Sequence, residues 1–226
     1  MPYAVVITGA AHAPNLLEEI APSFSSPIAT IRRLNDQWIL QSSNFEPYES
    51  DDKFYASANN LLSQIHRILA LYLGRYSESL SVRALWRLTD DDKIIGQRRY
   101  VTHTFDIVRP AQQVFNPTSS SSLATLVLSR AASDPAITEA LSLVGHEAPT
   151  WGKIYDIIEF LGGPPSVGKS GFASETTTRR VKRTANHYRH LGNPKNSSLP
   201  PNPPALDEAR TFALDLMKKW IAERTT

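Results

Sequence analysis

Arginine and histidine crowd into one short stretch of this chain. Residues 179–190 read Arg-Arg-Val-Lys-Arg-Thr-Ala-Asn-His-Tyr-Arg-His, with five of the 24 basic residues, two of the six histidines and no acid. On a helix, at about 100° per residue, Arg183 and His190 lie about 20° apart on one face, with Asn186 and His187 near it. An arginine and a histidine on one face can grip a phosphate and shuttle a proton. The same residues can also form a solvated face docked through Val181 and Tyr188, with His187 and His190 near the C-terminal carbonyls of the helix.

A second string has the form of a phosphate-binding motif. Gly163-Pro164-Pro165-Ser166-Val167-Gly168-Lys169-Ser170 fits GxxxxGK[ST], in which backbone amides cradle phosphates, the lysine reaches the terminal phosphate and the serine binds magnesium. Its context is wrong for that chemistry. The preceding residues 150–161 have helical rather than strand periodicity, and two prolines remove amide donors from the loop that must supply them. No later strand is available to carry a second carboxylate. The string reads as a flexible Gly/Pro-rich connector between helices. Val5-Val6-Ile7-Thr8-Gly9-Ala10 echoes the first strand and turn of a dinucleotide fold, but no further glycines or βαβ alternation follow.

Other candidate groups lack partners. His66 falls in an apolar helical pattern and reads as a core or boundary histidine. His103 lies on a strand pattern with no second ligand at metal spacing. Asp90-Asp91-Asp92 reads as a turn between strands. His12 and His146 fall in loop-like sequence, the latter beside Glu147. The chain contains no cysteine, which excludes disulfides, zinc–thiolate sites and a cysteine nucleophile. No cofactor and no metal is expected. A net charge of +2 over 226 residues is too small for the whole molecule to act as a polyanion binder. No basic leader and no run of 18 apolar residues is present, so a soluble cytoplasmic protein without a membrane partner is expected.

The elements that must position the basic stretch follow from periodicity. Residues 3–8 are β-branched and read as a strand, and 28–42 as a hairpin turning at Asn35-Asp36. Residues 52–75 carry Leu61, Ile65, Ile68, Leu69 and Tyr72 at helical spacing. Residues 79–88 and 93–108 read as strands, the second with a period of two. Residues 115–122 break the pattern. Beyond them, 123–132, 134–144, 150–161, the basic segment and 205–224 read as helices. Phe212, Leu216, Met217 and Trp220 form the stripe of the last. The fold class expected is α+β: a small mixed N-terminal region over 1–116 and an all-helical bundle over 123–226.

The order of those C-terminal elements is similar to small bacterial and phage-associated proteins. These are a helix with Thr150-Trp151 and Tyr155…Glu159, a connector, Thr184-Ala185-Asn186…Arg189-His190, then a Pro-rich lead into a helix with Trp220. More loosely, residues 123–224 resemble the HEPN superfamily of helical ribonucleases and nucleic-acid-binding domains, whose motif is an arginine followed after four to six residues by a histidine. Here six residues separate Arg183 from His190, and Thr184 stands where active members commonly carry Asn, Asp or His.

The resemblance implies metal-independent RNA cleavage. His190 would serve as general acid or base, a role that suits histidine as a residue type because both forms of a free imidazole are populated near neutrality. Arg183 would stabilise charge on the phosphorane, and Asn186 would orient the phosphate or the histidine. Arg179, Arg180, Lys182 and Arg189, with His187 beside them, would bind flanking phosphates. It also implies a homodimer and a bacterial defence or toxin-type setting. The leading expectation is RNA cleavage or RNA binding through this helix. The alternative is a non-catalytic interaction or adaptor protein, with a partner-binding surface on the N-terminal region.

Overall fold

A computed structural model describes residues 3–9, 15–45, 51–74, 80–99, 121–145, 147–190 and 198–225. The expected period-two pattern beyond residue 99, most of the 115–122 break, His12, His103, His146 and the start of the 192–204 lead lie outside the described residues. The chain combines a six-stranded antiparallel sheet with helices, a mixed α+β architecture. It divides into two compact units, Met1–Ser133 and Asp134–Thr226. Among the described residues no helix is long and apolar enough to cross a membrane.

The first unit is built on a sheet with strand order β2-β3-β4-β1-β5-β6. Its strands are β1 (Tyr3–Thr8), β2 (Ser25–Ser26), β3 (Ala29–Leu34), β4 (Gln37–Gln41), β5 (Ser81–Leu88) and β6 (Ile94–Arg99). The β3–β4 hairpin turns at Asn35 and Asp36, with φ of 48° and 60°. Both central residues are left-handed, as a two-residue turn matching strand twist requires, and Asn and Asp tolerate that region. β1 lies in the centre, between β4 and β5. One of its faces contributes Ala4 and Val6 to a cluster with Ile39, Ala84, Trp86 and Leu88. Val5 and Ile7 on the other face are equally buried. A strand covered on both faces needs apolar residues at every position, hence the continuous run Ala-Val-Val-Ile.

Around the sheet lie α1 (Leu16–Ile20), α2 (Asp51–Leu73) and α3 (Ser121–Ala131). Leu61, Leu62, Ile65, Ile68 and Leu69 form the buried stripe of α2. His66 is structural: its Nε2 accepts the Leu80 N–H at 2.6 Å, tying α2 to the start of β5. The three aspartates between β5 and β6 hold a turn. Asp92 has φ 63° and pairs with Arg32, and Asp91 pairs with Lys93 at 2.8 Å. Lys93 and Thr89 hold the Asp91 carboxyl below its usual range.

Composition puts the break near residues 115–122, yet by contacts the division falls between Ser133 and Asp134. α3 packs on α2, on the 3-10 turn Ala21–Ser23 and on β2. Its Thr125 hydroxyl donates to the Ser23 carbonyl at 3.1 Å. The apolar stripe Ala124, Val127, Leu128 and Ala131 is buried there. A polar stretch marks a change of composition, which need not coincide with the place where packing contacts stop.

The second unit contains α4 (Pro135–Val144), α5 (Trp151–Phe160), α6 (Gly163–Lys169), α7 (Glu175–Arg189) and α8 (Leu206–Thr225), with no strand among its described residues. Side-chain caps start three of these helices. Asp134 accepts from Ala136 N at 2.9 Å, Thr150 from Lys153 N at 3.4 Å and Ser174 from Thr177 N at 3.1 Å. Each satisfies an amide that the first helical turn leaves open. α5 is central, packing on α4, α6, α7 and α8. Ile154, Ile157 and Ile158 of α5 are wholly buried, and Val181 and Ala185 of α7 and Ala213, Met217 and Ile221 of α8 are also buried.

The string at 163–170 is a short helix, not the flexible connector that its glycines and prolines suggest. Gly162 and Gly163 reverse the chain after α5 with φ of 83° and 76°. Pro164 then stands in the first turn of α6, where its missing N–H costs no hydrogen bond. At Gly168 an added Cβ would lie 3.2 Å from Glu175 Cβ, so glycine permits the close approach of α6 to the start of α7. Lys169 is exposed in the last turn.

Candidate anion-binding site

α7 is amphipathic in an unusual way. Its docking face consists of Thr178, Val181, Thr184 and Ala185, all buried. Two of these are threonines, which enter the core because their hydroxyls bond back to carbonyls one turn earlier. Thr178 Oγ1 donates to Ser174 O at 2.9 Å, and Thr184 Oγ1 to Arg180 O at 3.0 Å. Such back-bonding leaves no polar atom unsatisfied. Thr184, the residue after Arg183, therefore faces the core.

With that face buried, Arg179, Lys182, Arg183 and Asn186 share the adjoining side, at spacings of three and four residues. They line an open cavity of about 620 Å³ together with Tyr155 of α5, Pro164 and Pro165 of α6, and Ser198. The volume lies within the range of small-molecule sites. Arg183 is exposed, and its Nη2 lies 3.4 Å from Ser198 Oγ, a long contact. Among the described residues it has no carboxylate partner.

The other cations of α7 are paired. Arg179 bonds to Glu175 one turn earlier, and Lys182 bonds to Glu159 of α5. Arg180 lies outside the cavity lining, 3.2 Å from Glu208 of α8. Arg189 places its guanidinium carbon 3.5 Å from the centroid of Tyr155, with Nη1 3.8 Å from Asp156. Lys182 Nζ also lies over Tyr155, at 5.3 Å. The Lys182–Glu159 pair sits beside Gly163, where a Cβ would come 3.8 Å from Glu159 Oε1 and 3.9 Å from Lys182 Nζ.

The residues singled out from sequence thus separate. Arg179, Lys182, Arg183 and Asn186 come together at the cavity. His190 is exposed at the C-cap of α7, outside the cavity lining, and its Nε2 accepts from Arg189 Nε at 3.0 Å. His187 is half-buried, edge-on to Tyr188 at 5.2 Å, and Tyr188 stacks on Trp151 at 5.0 Å. That aromatic stack fixes the end of α7 against α5. Sequence reasoning missed Tyr155 as a wall of the site, because it counts as part of the apolar face of α5. It also missed Glu159 and Glu175 as the partners of Lys182 and Arg179, and the one helical signal available is Glu175, four residues before Arg179. No group of three or more His, Cys, Asp or Glu suited to a metal occurs among the described residues.

No protein-family model, curated protein or solved structure matches the chain.

Proposed function

We propose that the chain is an RNA-binding protein that holds the phosphate backbone at the α7 cavity. The observation that carries this reading is Arg183: a guanidinium on the cavity wall with no carboxylate partner among the described residues. A guanidinium offers a bidentate match to phosphate oxygens and stays charged at all working pH. Asn186 and the Ser198 hydroxyl add donors and acceptors beside it, suited to sugar and phosphate oxygens, and Tyr155 adds an aromatic wall. Cations beside aromatic groups are how single strands are held without sequence readout. The resemblance of residues 123–224 to HEPN domains, with the homodimer it implies, points the same way.

Cleavage is the less favoured form of this reading, because a general acid or base must reach the scissile phosphate and His190 is outside the cavity lining. One observation favours the non-catalytic adaptor alternative instead. Arg179, Arg180, Lys182 and Arg189 all have carboxylates within reach, as on a face that only holds itself together.

The test is anisotropy of a labelled 12-nucleotide oligouridylate in EDTA, with wild type and Arg183→Met. Removing one charge-assisted phosphate contact should weaken binding about tenfold. It should also lower the salt slope by about 0.7. Equal affinity of the two proteins, or no binding by either, refutes the reading.

A further inference from the structure

We infer that Glu159 and Glu175 act as built-in competitors for the anion at the α7 cavity, so that a ligand gains Lys182 and Arg179 only by exchanging phosphate for carboxylate. The inference rests on the proposed site, and it adds what sets that site's affinity and selectivity.

Three cations line the cavity, yet they are not equivalent. Among the described residues Arg183 meets only the Ser198 hydroxyl, at 3.4 Å. Lys182 and Arg179 are each already bonded to a carboxylate. Glu159 comes from α5 and Glu175 from the first turn of α7, so the two acids flank the cavity from different elements. Both carboxylates are partly exposed, at 45% and 46% of their side-chain surface. They can therefore swing into water when a ligand takes their place. Lys182 is more enclosed, at 25%. It is also held over Tyr155, so its ammonium stays at the cavity wall after the exchange.

A phosphate bound at Arg183 alone makes one charge contact. A ligand with neighbouring phosphates can replace both carboxylates, and each exchange breaks one ion pair to form another. The gain per added phosphate is then far below that of an open cation. Removing a carboxylate charge converts an exchange into a net attraction. Glu159→Gln keeps the length and a hydrogen-bonding oxygen for Lys182 while deleting the charge that competes.

The experiment uses the full chain with two probes, labelled 12-nucleotide oligouridylate and inorganic pyrophosphate, in a salt series. Asp215→Asn on α8 controls for the change in net charge, since Asp215 pairs with Lys218 and does not line the cavity. Glu159→Gln should bind both probes three- to tenfold more tightly at 100 mM salt, with the oligonucleotide slope steeper by about 0.7. Asp215→Asn should change affinity less than twofold, and adding Lys182→Met to Glu159→Gln should abolish the gain. If Glu159→Gln does not fold, Glu175→Gln is read instead, with the same sign through Arg179.

An effect no larger than that of Asp215→Asn, or a loss of affinity, overturns the inference. If pyrophosphate tightens while the oligonucleotide binds neither protein, the RNA reading fails and the inference stands. If neither protein binds either probe, both fall.

Discussion

The Nε–H of Arg189 donates to Nε2 of His190 at 3.0 Å and lies 3.1 Å from Asn186 Oδ1. The lone pair that would serve as a general base is turned toward a neighbouring cation. His190→Ala should leave oligouridylate affinity within twofold of wild type and the melting temperature within about 2 °C, since exposed substitutions typically cost under about 0.5 kcal/mol. Metal-independent cleavage by wild type that His190→Ala abolishes would restore the histidine to the reaction and displace the binding-only reading.

Tyr155 carries two cations of α7, Arg189 at 3.5 Å and Lys182 at 5.3 Å from its ring centroid. Partly exposed contacts of this type contribute about 0.5–1 kcal/mol each. Tyr155→Leu should lose roughly 1–2 kcal/mol in a urea titration and weaken oligonucleotide binding, while Tyr155→Phe keeps the ring and most of both properties. Equal behaviour of the two variants would show that the ring face is not what holds the cations.

The turn before α6 gives a sharper stability test. Gly162 has φ 83°, and an added Cβ would lie 2.6 Å from Ser166 Oγ. Gly162→Ala should cost about 2 kcal/mol or more, combining left-handed strain with the clash. Ser166→Ala in the same chain should recover only the part of the clash due to Oγ, because the Cβ of residue 166, 2.9 Å from the added Cβ, remains. Lys169→Ala, in contrast, should leave both melting temperature and oligonucleotide affinity unchanged. Its string forms a helix with prolines where a phosphate loop needs amides. A loss of function in Lys169→Ala would reopen a nucleotide-binding reading.

Much of this was legible where one local signal dominates. Asn35-Asp36 specifies its own turn, and the stripe from Leu61 to Leu69 specifies a helix. Other features depend on partners that a single sequence does not name. The stripe of α3 could equally have packed on either unit. Glycine and proline at 162–165 look like a loop by type. By position they are a left-handed reversal followed by a helix start, which is what they build. On α7 the threonines look polar, but back-bonding lets Thr178 and Thr184 bury. The shared face of Arg183 and His190 assumes a helix through residue 190, whereas α7 ends at Arg189 and His190 has ψ 24° at the cap. Periodicity governs direction only while the helix lasts.

Tyr72, in the last turn of α2, has a buried hydroxyl without a hydrogen-bond partner among the described residues. Burial disfavours its phenolate and pushes its pKa up to about 12 from 10. The folded chain therefore holds this proton more tightly than the unfolded one. Its contribution to stability is intact below pH 10 and is lost as pH rises towards 12, because the unfolded chain ionises first. Two units correspond to at most about 2–3 kcal/mol. Tyr72→Phe removes both the titration and the unsatisfied hydroxyl, so at pH 7 it should match or exceed wild type by up to about 1 kcal/mol. Urea titrations of both proteins at pH 8 and pH 11 separate this group from other alkaline effects. The variant's advantage should widen at pH 11, and parallel behaviour at the two pH values would mean that the phenol is not the group whose ionisation destabilises the fold.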